Sequence, residues 1–120
     1  MLQTLDSASE RVYSDRLIKR RDRIVNRVAQ LDAERRQLDA DRLLFDEETY
    51  QRRNNLLGYL ASFHLREIDQ IDEALKRIAN GKYGICFGCQ KQIEREWLES
   101  FPEAEFCSTC HVIKERMGAS

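Results

Sequence analysis

The chain has 120 residues, of which 42% are hydrophobic and 34% are charged, so it lacks the apolar side chains for a sheet buried on both faces. One proline and five glycines exclude a loop-rich chain, and a net charge of -1 does not favour binding polyanions with the whole surface. No apolar run approaches the roughly 18–20 residues of a membrane span, and residues 1–10 do not resemble a signal peptide. We therefore expect a soluble, cytoplasmic protein.

Residues 7–80 predict helices, because this stretch contains no proline and a single glycine. Apolar side chains recur every seven positions in two series, which is typical of a coiled-coil seam. The first series is Leu17, Ile24, Leu31, Leu38 and Phe45. The second is Leu57, His64, Ile71 and Ile78, with Ala61, Ile68 and Leu75 between them. Asn80-Gly81 predicts the end of the helix, because both residues tolerate left-handed backbone angles.

The two series are out of phase, because Phe45 and Leu57 are twelve residues apart. On one continuous helix the apolar stripe would therefore move to another face. We predict an antiparallel hairpin over residues 7–80, with two helices of about 35 residues each and a tip near residues 41–48. One unbroken helix of about 70 residues that pairs with a second chain remains an alternative.

All four cysteines lie in the last third of the chain, as two C-x2-C pairs. Each pair can set two thiolates on adjacent corners of a tetrahedron, and Zn²⁺ prefers four sulfur ligands. We predict one structural zinc ion, while disulfides, a redox C-x-x-C site and an iron–sulfur site remain alternatives. Four sulfur ligands leave no open position for substrate, so we do not expect an enzyme. The predicted ligands are Cys86, Cys89, Cys107 and Cys110.

Residues 81–120 are too few to fold on apolar burial alone, so the metal would serve as the core of a small C-terminal head with a short terminal helix. The fold class that we predict is all-α: a long antiparallel helical hairpin, or coiled coil, with a four-cysteine zinc-finger head. The side chains expected to pack around the metal are Ile93, Trp97, Leu98, Phe101 and Phe106.

The segment from residue 74 to residue 110 carries a specific pattern. It begins with Ala74-Leu75-Lys76-Arg77-Ile78, continues through Gly81-Lys82-Tyr83-Gly84-Ile85-Cys86, and includes Cys89, Ile93, Leu98-Glu99, Pro102, Ala104 and the last cysteine pair. This pattern resembles that of the DksA/TraR-type C4 zinc finger proteins of bacteria, and the two align without a gap over residues 74–110. The resemblance covers about a third of the chain, and the predicted hairpin fits the family by shape more than by motif.

The resemblance implies a transcription regulator that binds RNA polymerase at its secondary channel. In that family the coiled coil reaches down the channel, and acidic residues at its tip act near the catalytic centre. The family's tip has two aspartates three residues apart, followed by an alanine. These positions correspond here to Leu43, Asp46 and Glu48. Asp46 is therefore the candidate tip acid, with Glu47 and Asp41 nearby.

In family members that respond to the nucleotide ppGpp, basic residues near the junction of head and coil contribute to the response. Their positions correspond here to Gln70, Phe101 and His111, so the resemblance does not predict such a response.

Two apolar features each have two interpretations. Leu43-Leu44-Phe45 is either a hydrophobic plug that closes the hairpin or a docking patch. A second apolar stripe is either extra core or a self-association face, so we expect a monomer or a weak homodimer. Its members are Leu56, Leu60 and Phe63.

Cations crowd residues 16–27 of the first helix. They form a solvated surface with salt bridges, a contact with the acidic rim of a polymerase, or a site for nucleic-acid phosphates. Direct nucleic-acid binding is the least favoured of the three. Two other functions remain as alternatives, a nucleic-acid-binding zinc module and a dimeric coiled-coil interaction protein. The candidate basic face is Arg16, Lys19, Arg20, Arg23 and Arg27.

Overall fold

A computed structural model describes residues 7–118, with backbone only for residues 7 and 8. The first six residues, part of the segment assessed above for a signal peptide, lie outside this range. The helices are α1 (Ser7–Ala40), a 3-10 turn (Arg42–Leu44), α2 (Glu47–Ala79), α3 (Arg95–Ser100) and α4 (Ser108–Gly118). Residues 7–118 contain no strand, only an isolated bridge between Ile85 and Gln92, so the all-α prediction is confirmed. Among these residues, no helix combines the length and apolar character that a membrane crossing requires.

The chain reverses direction between α1 and α2, which have 34 and 33 residues. Contacts between the two helices join positions that converge on the turn. Arg20 donates to Glu67 at 3.2 Å, Arg35 donates to Asn54 at 2.8 Å, and Tyr50 donates to Asp39 at 2.5 Å. This order of contacts is that of an antiparallel pair. The predicted hairpin is confirmed, and the alternative of one unbroken helix is wrong.

The chain forms two compact units. The hairpin unit is Arg20–Asp69, and the head unit comprises the described residues up to Lys19 and from Gln70 onward. Helix α2 ends at Ala79, next to the predicted boundary between residues 7–80 and 81–120. As a domain boundary, that division stays a prediction.

The predicted seam of α1 is buried. Leu17 and Leu31 are 0% and 1% exposed, and Ile24 and Leu38 are also core residues. Phe45 does not continue the seam, because α1 ends five residues before it and Phe45 belongs to the turn. There its ring is partly exposed and lies 4.8 Å from the guanidinium carbon of Arg53.

The second series holds at Ile68 and Ile71, but the buried face then shifts by one position. Ala74 and Arg77 are buried, while the predicted Leu75 and Ile78 are half-exposed. Arg77 can occupy a buried position because its guanidinium donates to two backbone carbonyls, those of Glu103 and Ala104, at 3.4 and 3.3 Å.

Helix α2 ends as the sequence predicts. Gly81 has φ +70°, the left-handed angle that glycine adopts at low cost. Its N–H donates to the carbonyl of Ile78 at 3.2 Å, and the N–H of Lys82 donates to the carbonyl of Arg77 at 2.8 Å. These bonds satisfy carbonyls that the last helical turn leaves open.

The core of the head unit is built around Tyr83, Ile93 and Leu98, each at most 2% exposed. The Tyr83 hydroxyl donates to the carbonyl of Pro102 at 2.6 Å, so its polar end is satisfied. The prediction that Phe101 packs inside is wrong, because Phe101 is 44% exposed and its ring contacts Trp97 at the surface, with centroids 4.7 Å apart.

A matched pair of leucine variants tests the seam. We expect Leu31→Ala to lower the free energy of unfolding by about 2–5 kcal/mol, because it opens a cavity at a buried position. Leu43→Ala should change it by less than about 0.5 kcal/mol, because Leu43 is fully exposed. Urea unfolding followed by circular dichroism measures both. Equal losses for the two variants would contradict the seam.

Candidate metal centre and hairpin tip

The first cysteine pair lies on a tight turn of the head unit. The N–H of Cys86 donates to the carbonyl of Lys91 at 2.8 Å, and the N–H of Gln90 donates to the carbonyl of Cys86 at 3.0 Å. Gln90 adopts φ 63°, which the turn requires. The turn closes on itself, so Cys86 and Cys89 face the same space.

The second pair begins α4. Cys107 precedes the helix and Cys110 lies in its first turn, so both thiols belong to the helix N-terminus. The carboxylate of Glu94 accepts bonds from the N–H and the hydroxyl of Ser108, at 3.3 and 3.1 Å, and caps the helix. The two pairs are tied together by the N–H of Phe87, which donates to the carbonyl of Glu105 at 2.9 Å.

The structure brings the four cysteines together, with all four sulfur atoms within 4.8 Å of one another. The Cys89 and Cys107 sulfurs are 3.9 Å apart, far beyond the roughly 2.05 Å of a disulfide. Sulfurs at the corners of a tetrahedron with metal bonds of about 2.3 Å would be roughly 3.8 Å apart. Four soft thiolate donors at this spacing fit one tetrahedral metal ion, which Cys86, Cys89, Cys107 and Cys110 could hold.

Backbone N–H groups point at the sulfurs. Gly88 and Cys89 donate to Cys86 Sγ at 3.3 and 3.5 Å, and Cys110 donates to Cys107 Sγ at 3.4 Å. Such bonds stabilise thiolates and orient them as ligands.

The ionisation of two thiols departs from the ordinary range in opposite directions. Burial raises the pKa of Cys86, but bonds from the backbone N–H groups of Cys107, Cys89 and Gly88 outweigh it and lower the pKa to about 6. Hydrogen bonds with the thiols of Cys107 and Cys86 raise the pKa of Cys110 to about 12. A cation bound to these two sulfurs would displace any proton that they carry.

Gly88 is required by space. A Cβ at this position would lie 3.1 Å from Cys110 Sγ and 3.3 Å from its Cβ. Any side chain there would press on a ligand atom, so the glycine in the first C-x2-C pair matters for the geometry of the second pair.

Sequence reasoning missed the role of Arg77. Besides its two carbonyl bonds, its guanidinium carbon lies 5.2 Å from the ring centroid of Phe87, the residue after the first cysteine. Phe87 in turn packs edge-on against Phe106, with centroids 6.1 Å apart. The arginine thus anchors the last turn of α2 beside the cysteine turn. The sequence signal that could have indicated this role is that Arg77 belongs to the pattern over residues 74–110.

At the tip of the hairpin unit, Asp46 caps α2. Its Oδ1 accepts the N–H of Thr49 at 2.7 Å, and its carbonyl accepts the N–H of Tyr50 at 3.0 Å. The bond from the Thr49 N–H lowers the pKa of the Asp46 carboxyl, so it stays ionised. The side chain is nevertheless exposed.

The other two predicted tip acids also have partners. The Glu47 carboxylate accepts bonds from Gln51 at 3.0 Å and Arg42 at 3.3 Å, and both lower its pKa. Asp41 accepts a bond from Gln37 at 2.8 Å. Each of the three acids at the turn therefore accepts hydrogen bonds from residues close to it in the sequence.

The apolar tip is not a plug. Leu43 is 100% exposed and Leu44 is 79% exposed, so the alternative of a hydrophobic plug is wrong for both. The turn is instead closed by a polar and aromatic cluster that sequence reasoning missed. The Arg42 guanidinium carbon lies 4.2 Å from the ring centroid of Tyr50, and the Tyr50 hydroxyl bonds to Asp39.

The basic cluster of α1 is partly engaged within the chain. Arg20 pairs with Glu67 at 3.2 Å, and Arg27 lies 3.8 Å from Glu34. These contacts are those of a solvated surface with salt bridges, and they leave most of the cluster accessible. The exposed members are Arg16, Lys19, Arg23 and Arg27.

The three positions that correspond to ppGpp-responsive residues of the family lie around one cavity of the head unit. Gln70, Phe101 and His111 line a space of about 180 Å³, and the Trp97 ring lies 5.4 Å from that of His111. None of the three is a lysine or an arginine. The absence of a ppGpp response stays a prediction.

Comparison with solved structures places the fold. The chain is similar to transcription factor DksA2 from Pseudomonas aeruginosa, with a TM-score of 0.83 and 25% identity over 96% of this chain and 89% of that one. The RNA polymerase binding protein and transcriptional regulator Dks from Chlamydia trachomatis L2 has a TM-score of 0.59 at 16% identity, over 97% and 98% of the two chains, and supports the fold alone. In fold, the chain resembles DksA proteins.

Comparison of sequences does not identify a family for the chain. No protein-family model matches the chain. An uncharacterized protein of Aquifex aeolicus is 34% identical over 61 residues, which is 51% of this chain. The match spans only 42% of that relative's length.

A glycine pair tests the cysteine geometry. We expect Gly88→Ala to weaken binding of Co²⁺, whose thiolate bands report sulfur ligation, by about 10–100-fold, because the added methyl group presses on Cys110. Gly118→Ala is the control, because a Cβ there meets nothing within 4 Å. Titration against a competing chelator measures both affinities. Equal affinities would show that Gly88 does not shape the site.

Proposed function

We propose that the chain is a transcription regulator that binds RNA polymerase in the cytoplasm. The similarity to DksA2 over nearly the whole chain carries this proposal, because it extends over the residues of both the hairpin unit and the head unit. The sequence pattern over residues 74–110 adds support that does not depend on the fold.

Zinc is the metal that we propose for the four cysteines. Zn²⁺ favours four thiolates in a closed tetrahedral site, and such sites are structural. The ion would hold the turn of Cys86 and Cys89 against the start of α4. Catalysis forms no part of the proposal, because four protein ligands leave no position for a substrate.

The finer mechanism rests on the tip. We propose that the hairpin enters the secondary channel and that Asp46 acts near the catalytic centre, with Glu47 and Asp41 beside it. Support comes from the exposure of Asp46 and from the bond that keeps its carboxyl ionised. The exposed cations of residues 16–27 would contact the acidic rim of the polymerase, whose opposite charge would speed association.

Removal of the metal tests the zinc proposal. We expect purified protein to contain about one zinc ion per chain, and a chelator to weaken the near-ultraviolet circular dichroism of the head unit, because the metal would hold the turn of the first cysteine pair against the start of α4. Added zinc should restore the signal. Elemental analysis and intact mass check both points. Metal-free protein with a native spectrum, or a mass that has lost four hydrogens through two disulfides, would contradict the proposal.

Substitution of Asp46 separates its charge from its capping role. Asparagine caps helices as well as aspartate, so Asp46→Asn should leave the melting temperature unchanged. We expect it to weaken the effect on open-complex lifetime by about tenfold, because charged hydrogen-bond partners contribute more than neutral ones. Asp69→Asn, at an exposed position of α2 away from the tip, is the matched control.

Polymerase binding is measured alongside in the same experiment. If Asp46→Asn binds polymerase as tightly as the wild type and changes the open-complex lifetime by the same amount, Asp46 is excluded as the acting residue. An absence of binding by wild-type protein at micromolar concentration would remove the proposed function itself.

A further inference from the structure

A stripe of apolar side chains on α2 of the hairpin unit lies beside the face that packs against α1, and Leu56 borders a cavity that α1 also lines. Leu56 is 57% exposed, Tyr59 is 65% exposed and Phe63 is 46% exposed, while Leu60 is half-buried. These positions are spaced i, i+3, i+4 and i+7, so they share one face of the helix. Of the two alternatives given for the stripe, extra core is therefore wrong for Leu56 and Phe63.

The stripe lies next to the seam that packs against α1. Seam residues Leu57, Ala61 and His64 each follow a stripe residue by one position, which is about 100° around the helix. Single exposed apolar residues are ordinary on protein surfaces, but a continuous helical face of large ones marks an interaction site.

We propose that this stripe binds the same stripe of a second copy of the chain, with the two α2 helices antiparallel. The arrangement of residues is self-complementary. A two-fold axis between Tyr59 and Leu60 sets Leu56 opposite Phe63 of the second copy, and it brings Tyr59 and Leu60 each beside the same residue of the second copy. Each apolar side chain then meets an apolar partner, as an isologous interface requires.

The charges at the two ends of the stripe favour the antiparallel direction. Arg52 lies one turn before Leu56, and Glu67 lies one turn after Phe63, on the same face. The same axis brings Arg52 opposite Glu67 of the second copy at both ends of the interface. A parallel pair would instead set Arg52 against Arg52 and Glu67 against Glu67, which like charges oppose.

Glu67 is held in place for this contact. Its two oxygens accept bonds from Arg20 at 3.2 Å and from His64 at 2.8 Å, and its side chain remains 20% exposed. A carboxylate has about four acceptor sites, so it can accept a further bond from an arginine.

The size of the stripe sets the strength of the dimer. From Leu56 to Phe63 the stripe is about 10 Å long, which is short for a permanent interface. The dimer is therefore weak and reversible.

Sedimentation equilibrium of the full chain over about 5–500 μM tests the proposal. Wild-type mass rises from 14.2 kDa toward twice that value with concentration. Leu56→Glu raises the dimer dissociation constant by at least about tenfold, because it sets charges in an apolar interface. Leu65→Glu is the matched control and changes the constant by less than about twofold. Leu65 is 50% exposed and nine residues along α2, on the opposite face.

Arg52→Glu tests the direction of pairing. In the antiparallel dimer it sets two acids opposite each other and weakens association by about threefold, an effect that salt reduces. In a parallel dimer the same substitution replaces a contact between two arginines by a contact between two glutamates, so the charge repulsion at that position stays. Tyr59→Glu serves as a second stripe variant if Leu56→Glu does not give a native circular dichroism spectrum.

Three outcomes overturn the proposal. Wild-type protein that stays at 14.2 kDa throughout excludes self-association. Equal weakening by Leu56→Glu and Leu65→Glu excludes this face. A monomer whose polymerase binding is lost in Leu56→Glu assigns the stripe to the polymerase, and it leaves the proposed function intact.

Discussion

Burial of an aliphatic seam between two antiparallel helices is the interaction on which the other features of the hairpin unit depend. Ile24, Leu31 and Leu38 of α1 supply it, and they can do so only because the chain reverses within six residues after Ala40. The reversal itself is polar. It depends on the bond between Tyr50 and Asp39 and on the cap that Asp46 provides, and these leave the apolar side chains of the turn in solvent.

Asp46 links structure and proposed function. As the cap of α2 it stabilises the helix start, and the bond that does so also keeps its carboxyl ionised. The tip departs from the DksA/TraR pattern at Leu43 and Glu48, while Asp46 corresponds to one of the acids of that pattern. In the head unit, Gly88 also serves two purposes. The absence of a side chain leaves room for the sulfur of Cys110, and its N–H donates to the sulfur of Cys86.

Regular parts of the fold could be predicted from the sequence because they repeat. The period of seven identified Leu31 as core, and the two C-x2-C pairs identified the four cysteines that the structure brings together. Features that depend on distant partners could not be predicted. Arg77 is buried because carbonyls 26 and 27 residues further along accept its bonds. Phe45 fits the period by chance, since the helix has already ended, and Leu43 is exposed because polar contacts close the turn.

Site-specific cross-linking can show whether the hairpin tip acts inside RNA polymerase, as we propose. A photoreactive amino acid in place of Leu43, the fully exposed residue of the tip, would be activated in a mixture of the protein with purified polymerase. We expect cross-links to segments that line the secondary channel near the catalytic centre. Cross-links only to the outer surface of the enzyme, or none at a concentration where the two proteins bind, would contradict it.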